Sequence, residues 1–166
     1  MTTRAERALT AEQWLLTAAP DRGRARAEWL SDGVALLRCG GAFGAIRISA
    51  PLVHAAARTD DLVEVDQYLA KALLGGPVFM DQESGRYYAL VGISTGRRPA
   101  WRQARDDAEY LGQNHHLGVP ALSAIDPSHR SYWCVPMDSA GILTIADAVS
   151  QLVDTGRDRL ANDRRG

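Results

Sequence analysis

The stretch GGPVFMDQESGRYYALVGIS, residues 75–94, decides the fold. It contains an apolar run over 77–80, a polar turn over 81–85 and a longer apolar run over 87–93. Two apolar runs that flank a polar turn with glycine predict a β-hairpin. The second run is apolar on both of its faces, which is typical of a strand in the middle of a sheet. We therefore expect this hairpin to lie inside a sheet that is covered on at least one face.

Length and charge limit the classes of function. The chain has 166 residues, of which 46% are hydrophobic and 23% charged, and this predicts one globular domain. Its net charge of −1 provides no overall field that would attract nucleic acid or an acidic membrane. Lys71 is the only lysine among 19 basic residues. This bias is typical of a GC-rich genome such as an actinobacterial one, so the arginine excess is not interpreted as a phosphate-binding signal.

The two cysteines indicate a reducing compartment. Cys39 and Cys134 each lie in a predicted strand and are not part of a CxxC pair, which predicts two reduced, buried thiols. The N-terminal residues have no apolar core of signal-peptide length, and no later run is long enough to span a membrane. We expect a cytoplasmic protein with no membrane partner.

Helical periodicity recurs along the chain and sets the predicted domain limits. Thr10 has capping-box spacing to Gln13 and predicts the first helix start, and Thr144 is the predicted cap of the last helix. The predicted helices cover 11–19, 22–31, 51–58, 62–74, 100–107 and 145–156. Residues 1–8 are predicted to be a flexible N-terminus, 9–157 a single α+β domain, and 158–166 a disordered charged tail.

Further strands complete the fold prediction. The runs 34–39 and 43–49 are joined by Gly40-Gly41, a pair that favours a tight hairpin because both residues tolerate positive φ. Residues 117–122 and 131–135 are also predicted strands. Hairpins that alternate with helices indicate an α+β fold with a mostly antiparallel or mixed sheet and helices packed on one face.

Motifs for catalysis or cofactor binding are missing from the sequence. There is no GxxxxGK[ST], GxGxxG or GxSxG motif, and CGGAFG at 39–44 joins two predicted strands, where its glycines serve a turn. The adjacent His115 and His116 would point to opposite faces of a strand and cannot bind one ion together. We predict no catalytic residue, no metal site and no cofactor. Asp81, Glu83 and Asp138 are the only acids at strand ends or turns that could act together, and turn or helix-start chemistry also explains them.

Arginines interleaved with aromatic residues around the hairpin provide one candidate binding surface. Such a pattern is typical of proteins that bind single-stranded nucleic acid, although the same aromatic residues serve equally well in cross-strand packing. The candidate nucleic-acid or anion-binding residues are Arg47, Arg86, Tyr88, Arg97, Arg98 and Trp101.

A series of short motifs carries a family resemblance over about the last two-thirds of the chain. In order they are GPV at 76–78, YYALV at 87–91, Trp101, YLG at 110–112, GVP at 118–120, YWCVP at 132–136 and a closing amphipathic helix. In this order the chain is similar to short actinobacterial proteins that resemble the N-terminal domain of bifunctional DNA primase/polymerases.

The resemblance implies a primase–polymerase scaffold without its chemistry. Such enzymes hold divalent metal with paired acids on a strand, because phosphoryl transfer needs charge neutralisation at the reacting oxygens. The comparable strand here reads AIRIS, 45–49, with Arg47 and no acid pair. We therefore predict a non-catalytic binding or regulatory module that acts through a protein partner or self-association. The alternatives are single-stranded nucleic-acid or nucleotide binding and a residual metal-dependent nucleotidyltransferase.

Overall fold

A computed structural model describes residues 3–165 and confirms the α+β class. The helices are α1 Arg4–Leu16, α2 Arg22–Asp32, α3 Ala50–Ala57, α4 Leu62–Ala72 and α5 Ala146–Arg165. The strands are β1 Val34–Arg38, β2 Gly44–Ser49, β3 Val78–Asp81, β4 Arg86–Val91, β5 Ala108–Leu111, β6 His116–Pro120 and β7 Ser131–Val135. Short 3₁₀ turns cover Ile93–Arg97 and Pro99–Trp101. No helix within residues 3–165 combines the length and the apolar character needed to cross a membrane.

The predicted central hairpin is confirmed. β3 and β4 pair antiparallel, with Val78 opposite Ala89 and Asp81 opposite Arg86. Gly85 adopts a φ of 67° in the connecting turn, a conformation that glycine accepts without strain. β4 lies in the middle of a five-stranded antiparallel sheet of order β5-β2-β4-β3-β7. The strand is apolar on both sides because each side packs against a separate core.

Helices α3, α4 and α5 cover one face of this sheet. Leu52 and Val53 of α3, Leu69 of α4 and Leu152 of α5 are buried there against the alternate residues of β4, such as Tyr87. The opposite face is covered by a second layer made of α1, α2 and a two-stranded sheet of β1 and β6. The sheet therefore separates two hydrophobic cores, and we call its sides the α5 face and the α1 face.

The predicted hairpin between residues 34–39 and 43–49 is wrong. Both runs are strands, but β1 pairs with β6 and β2 pairs with β4 and β5. Gly40, at φ 99°, donates its N–H to the Phe43 carbonyl over 2.8 Å, and this turn passes the chain from the small sheet to the large one. A Gly-Gly link predicts that the chain changes direction. The strand with which each flanking strand pairs depends on the core in which its side chains can be buried.

The region 97–122 also differs from its prediction. The charged helix expected over 100–107 is reduced to the Pro99–Trp101 turn, and irregular backbone then leads into β5. Trp101 still anchors the segment, since its side chain is buried against the α5-face core. The strand predicted over 117–122 is β6, found at His116–Pro120, and the predicted strand over 131–135 is confirmed as β7.

The N-terminal helix begins earlier than predicted. Thr3 and Glu6 form a reciprocal capping box, so α1 starts at Arg4 and residues 4–8 of the segment predicted to be flexible are helical. The other two residues of the predicted flexible segment, 1 and 2, lie outside the described part. Thr10 lies inside α1, where its hydroxyl donates to the Glu6 carbonyl over 2.8 Å. Two residue pairs in this stretch have capping-box spacing, Thr3 with Glu6 and Thr10 with Gln13. The first pair forms the cap, and it gives the longer helix.

The last helix differs from its prediction at both ends. Thr144 is not a cap, because its hydroxyl donates to the Pro77 carbonyl over 3.0 Å and ties the chain to the central hairpin. Gly156 was predicted to end the helix, but α5 continues to Arg165, and Leu160 packs against the α5-face core. The predicted disordered tail is therefore helical over 158–165, and residue 166 lies outside the described part. A Cβ on Gly156 would lie 2.6 Å from the Leu52 carbonyl oxygen, so glycine here permits close approach of α3 and α5.

Gly156→Ala tests this close approach. Alanine normally stabilises a helix interior by about 1 kcal/mol relative to glycine, but here its methyl group would displace the α3 backbone. We expect a loss of about 1–3 kcal/mol in the free energy of unfolding, measured by urea titration. Gly23→Ala is the matched control, because a Cβ there meets only Asp21 at an ordinary 3.5 Å. Equal effects of the two substitutions would contradict the packing described for α3 and α5.

Candidate functional site

Three of the six predicted binding residues lie together on the α1 face of the large sheet. Arg47 on β2 lies directly opposite Tyr88 on β4, and Arg86 lies two residues before Tyr88. Because side chains alternate along a strand, all three share the face that buries Leu90. They lie at the end of this face where the pairing partners are polar, for example Ser49 opposite Arg86. The structure thus brings Arg47, Arg86 and Tyr88 onto one surface.

Both arginines of this surface have partners within the fold. Arg47 Nη2 lies 2.6 Å from Glu109 Oε2 on the neighbouring strand β5. Arg86 donates to the Asp106 carbonyl over 3.3 Å. The ring of Tyr88 stacks on Phe79, with 4.9 Å between ring centroids and 16° between planes. One face of the aromatic ring is therefore used for packing, and Glu109 compensates the charge of Arg47 beside it.

The other three predicted residues lie elsewhere. Trp101 is buried in the core on the α5 face of the sheet. Arg98 Nη1 lies 2.5 Å from Asp147 in the first turn of α5, and the Arg97 carbonyl accepts from Arg102 over 3.2 Å. The six residues therefore do not form one surface, because the chain passes from the α1 face to the α5 face between Tyr88 and Trp101.

The three acids considered for metal chemistry are not gathered. Asp81 and Glu83 both approach Arg130, at 3.9 Å and 2.8 Å, as expected for a turn stabilised by charge. Asp138 lies apart from them, in the loop after β7. Within residues 3–165 no group of three or more His, Cys, Asp or Glu side chains is placed to hold a metal ion.

An apolar groove runs beside α1, and we call it the α1 groove. It consists of two adjoining cavities of about 740 and 470 Å³ that share Ala8, Leu122 and Ser123. Its walls include several large apolar side chains that remain exposed to solvent. They are Leu30 (90% exposed), Leu74 (73%), Leu9 (55%), Ile125 (49%) and Ile142 (42%).

The α1 groove was missed at the sequence level. Trp29 of α2 is buried and donates its indole N–H to the Val119 carbonyl over 2.9 Å, which fixes the buried side of the helix. Leu30 is the next residue, so it is turned by about 100° onto the solvent side. Leu9 lies seven residues before the buried Leu16, on the same side of α1, but near the helix start it is left exposed. One exposed apolar residue on a helix is ordinary, so the sequence pattern alone does not indicate the groove, which depends on several such residues lying side by side.

A half-buried polar cluster joins the large sheet to α3 and α4. The Tyr132 hydroxyl donates to both carboxylate oxygens of Asp66, at 3.0 and 3.1 Å. The Tyr87 hydroxyl lies 3.0 Å from His54 Nε2. Cys134, a free thiol, also hydrogen-bonds to Asp66. These contacts satisfy phenol groups that would otherwise be unpaired in the core, so the cluster has a structural role.

Burial controls the protonation of this cluster. It raises the pKa of Asp66 to about 6, and the hydrogen bonds from Cys134 and Tyr132 oppose the rise only in part. It also raises the pKa of the Cys134 thiol well above its usual value, with the nearby Asp66 carboxylate adding to the effect, and it lowers the pKa of His54. A thiol held protonated is a poor nucleophile, so this cluster of Cys, His and Asp is not equipped for covalent catalysis.

Comparisons of the chain with protein-family models, with curated proteins and with solved structures found no match in any of the three.

Asp66→Asn tests the half-buried polar cluster through the pH dependence of stability. Because the pKa of Asp66 is higher in the folded chain than its ordinary value, the folded state binds the proton more tightly. The stability of the native chain relative to the variant should fall by about 1–2 kcal/mol as pH rises from about 4 to 6, and level off above about pH 7. The measurement is urea unfolding at each pH, with the exposed Asp158→Asn as a charge control. Parallel pH curves for the native chain and Asp66→Asn would contradict the assignment.

Proposed function

We propose that this chain is a binding module without catalytic chemistry, and that it acts through protein association at the α1 groove. The observation that supports this function is the clustering of exposed apolar side chains. Nine large hydrophobic side chains are exposed within residues 3–165, and five of them line this one groove. Scattered exposed apolar residues are ordinary on a protein surface, but a contiguous set indicates an interaction site.

The energetics of the groove favour a protein ligand. Full burial of a large aliphatic side chain contributes about 1.5–3 kcal/mol. Several such side chains in one groove supply free energy of the same order as the entropic cost of association, about 4–15 kcal/mol. Burial of Leu30 and Leu74 would contribute the most free energy, because these two side chains are the most exposed. A polar small molecule would leave these side chains poorly covered.

The primase–polymerase resemblance is part of this proposal. The strand that would carry the acid pair is β2, and its polar position holds Arg47 in an ion pair with Glu109. We propose that the chain retains such a scaffold for association, in a regulatory setting in the cytoplasm, where Cys39 and Cys134 would stay reduced. A reducing compartment agrees with the two free thiols.

Binding of single-stranded nucleic acid is the second candidate, and the shared surface of Arg47, Arg86 and Tyr88 is the observation in its favour. The ion pair of Arg47 and the stacking of Tyr88 on Phe79 weaken it. Fluorescently labelled single-stranded DNA, titrated at low and at moderate salt, separates this function from the first. We expect no salt-sensitive binding, since few arginines are available to replace counterions.

A residual nucleotidyltransferase is the third candidate, and it would need Asp81, Glu83 and Asp138 to share a divalent ion. The pairing of the first two with Arg130 works against it. We expect calorimetric titration with Mg²⁺ and Mn²⁺ to show no binding heat, and binding abolished by Asp81→Asn would support this third candidate instead.

Site-specific photo-crosslinking tests the proposed function. A photoreactive phenylalanine derivative is placed at position 30 or 125 in the groove, or at position 63 as a control. Val63 is also exposed, at 56%, but lies on α4 outside the groove. After irradiation in cells that express the chain naturally, we expect covalent adducts from positions 30 and 125 and none from 63. No adduct from the groove positions, or equal adducts from position 63, would overturn the proposal.

A further inference from the structure

We infer that the α2 end of the α1 groove binds a second copy of this chain, giving a dimer with two-fold symmetry. This inference rests on the proposed function, because it names the partner for the same groove. The relevant surface is the smaller cavity, which lies between α1 and α2 and is lined by Leu9, Glu12, Arg26, Trp29, Leu30 and Leu122, with three small residues besides. We call this surface the α1–α2 patch.

The α1–α2 patch combines an exposed apolar side chain with a cavity beside it. Leu30, the most exposed large hydrophobic residue within residues 3–165, stands at the rim of a cavity of about 470 Å³. The cavity has apolar walls, among them Trp29 and Leu122. A two-fold axis brings the same patch of two protomers face to face, so a protruding side chain must meet a recess next to its own position. Leu30 of each protomer can then enter the cavity of its partner.

The charges of the patch are also suited to pairing across a two-fold axis. Glu12 on α1 and Arg26 on α2 line the cavity from two different helices. Neither side chain forms a hydrogen bond or an ion pair within the described part of the chain. Rotation about a two-fold axis exchanges the two helices, which allows Glu12 of one protomer to pair with Arg26 of its partner, twice per dimer.

This charge arrangement favours a second copy over a partner segment of uniform charge. The patch carries one acid and one base, so its formal charge is zero. A partner segment of uniform charge would be attracted by one of these groups and repelled by the other. A second copy supplies both opposite charges and the apolar side chain that fills the cavity.

Sedimentation velocity of the full chain, from about 1 to 200 µM, tests the dimer. We expect a species of about 36 kDa, twice the 18.0-kDa chain, that replaces the monomer as concentration rises. Leu30→Asp should weaken dimerisation at least about tenfold because it removes the apolar side chain that fills the cavity and places a carboxylate against the apolar part of its walls. Val63→Asp, an equally polar change outside the groove, should leave it unchanged. A chain that is monomeric up to the highest concentration, or a dimer indifferent to Leu30→Asp, would overturn the inference.

Charge exchange tests the pairing within the dimer. Glu12→Arg and Arg26→Glu should each weaken dimerisation about tenfold, since each brings like charges together. The double variant Glu12→Arg/Arg26→Glu restores opposite charges in a symmetric dimer, and its affinity should return to near the native value. Circular dichroism of each variant confirms that it folds. A double variant weaker than either single variant would overturn the two-fold pairing.

The two proposals fail in different ways. Adducts from position 30 to another protein, from a chain that stays monomeric in solution, would overturn the second-copy inference and leave the binding function standing. The absence of any adduct, together with a monomeric chain, would overturn both. Adducts of about 36 kDa that disappear with Leu30→Asp, probed from position 125, would support both.

Discussion

Burial of β4 on both of its faces is the constraint on which the structure depends. Tyr87 packs into one core with α3, α4 and α5, while Leu90 packs into the other with α1, α2 and the small sheet. Two cores that share one strand cannot form independently, since the side chains of β4 alternate between them. Contacts to the ends of β3 and β4 strengthen this link, including the bond from the Thr144 hydroxyl to Pro77 and the pairing of Thr144 with Val91. β4, the most apolar strand, thus joins the two cores into a single cooperative unit.

Several charged and phenolic side chains are engaged in ion pairs and hydrogen bonds within the fold. Arg47, Arg98 and Arg157 each pair with an acid, and Arg157 holds Asp107 through two hydrogen bonds at 2.8 and 2.9 Å. The buried phenols of Tyr87 and Tyr132 form hydrogen bonds with the half-buried His54 and Asp66. These paired arginines and hydrogen-bonded phenols therefore have structural roles. Five of the nine large apolar side chains that are exposed within residues 3–165 line the α1 groove, and this clustering is the basis of the binding function that we propose.

The accuracy of the sequence predictions depended on whether a pattern was local. The hairpin of β3 and β4, the helices α2, α3 and α4, and strand β7 follow from periodicity, turn residues and caps within a few residues of each other. The predictions that were wrong lie where a contact between residues distant in the sequence decides the local structure. Gly156 looks like a helix stop, but it packs on Leu52 about a hundred residues earlier. Gly40-Gly41 looks like a hairpin turn, but β1 finds its partner in β6.

The sequence by itself determined the α+β class, the central hairpin and the lack of any nucleotide-binding or nucleophile motif, because each depends on residues close together in the chain. Only the tertiary structure decided that Arg47 and Tyr88 share a face while Trp101 lies behind the sheet, and that Leu9 and Leu30 meet Leu122 in one groove. Adjacency of this kind arises from strand order and layer packing. Both are set by the joint burial of many side chains, which no short stretch of sequence encodes.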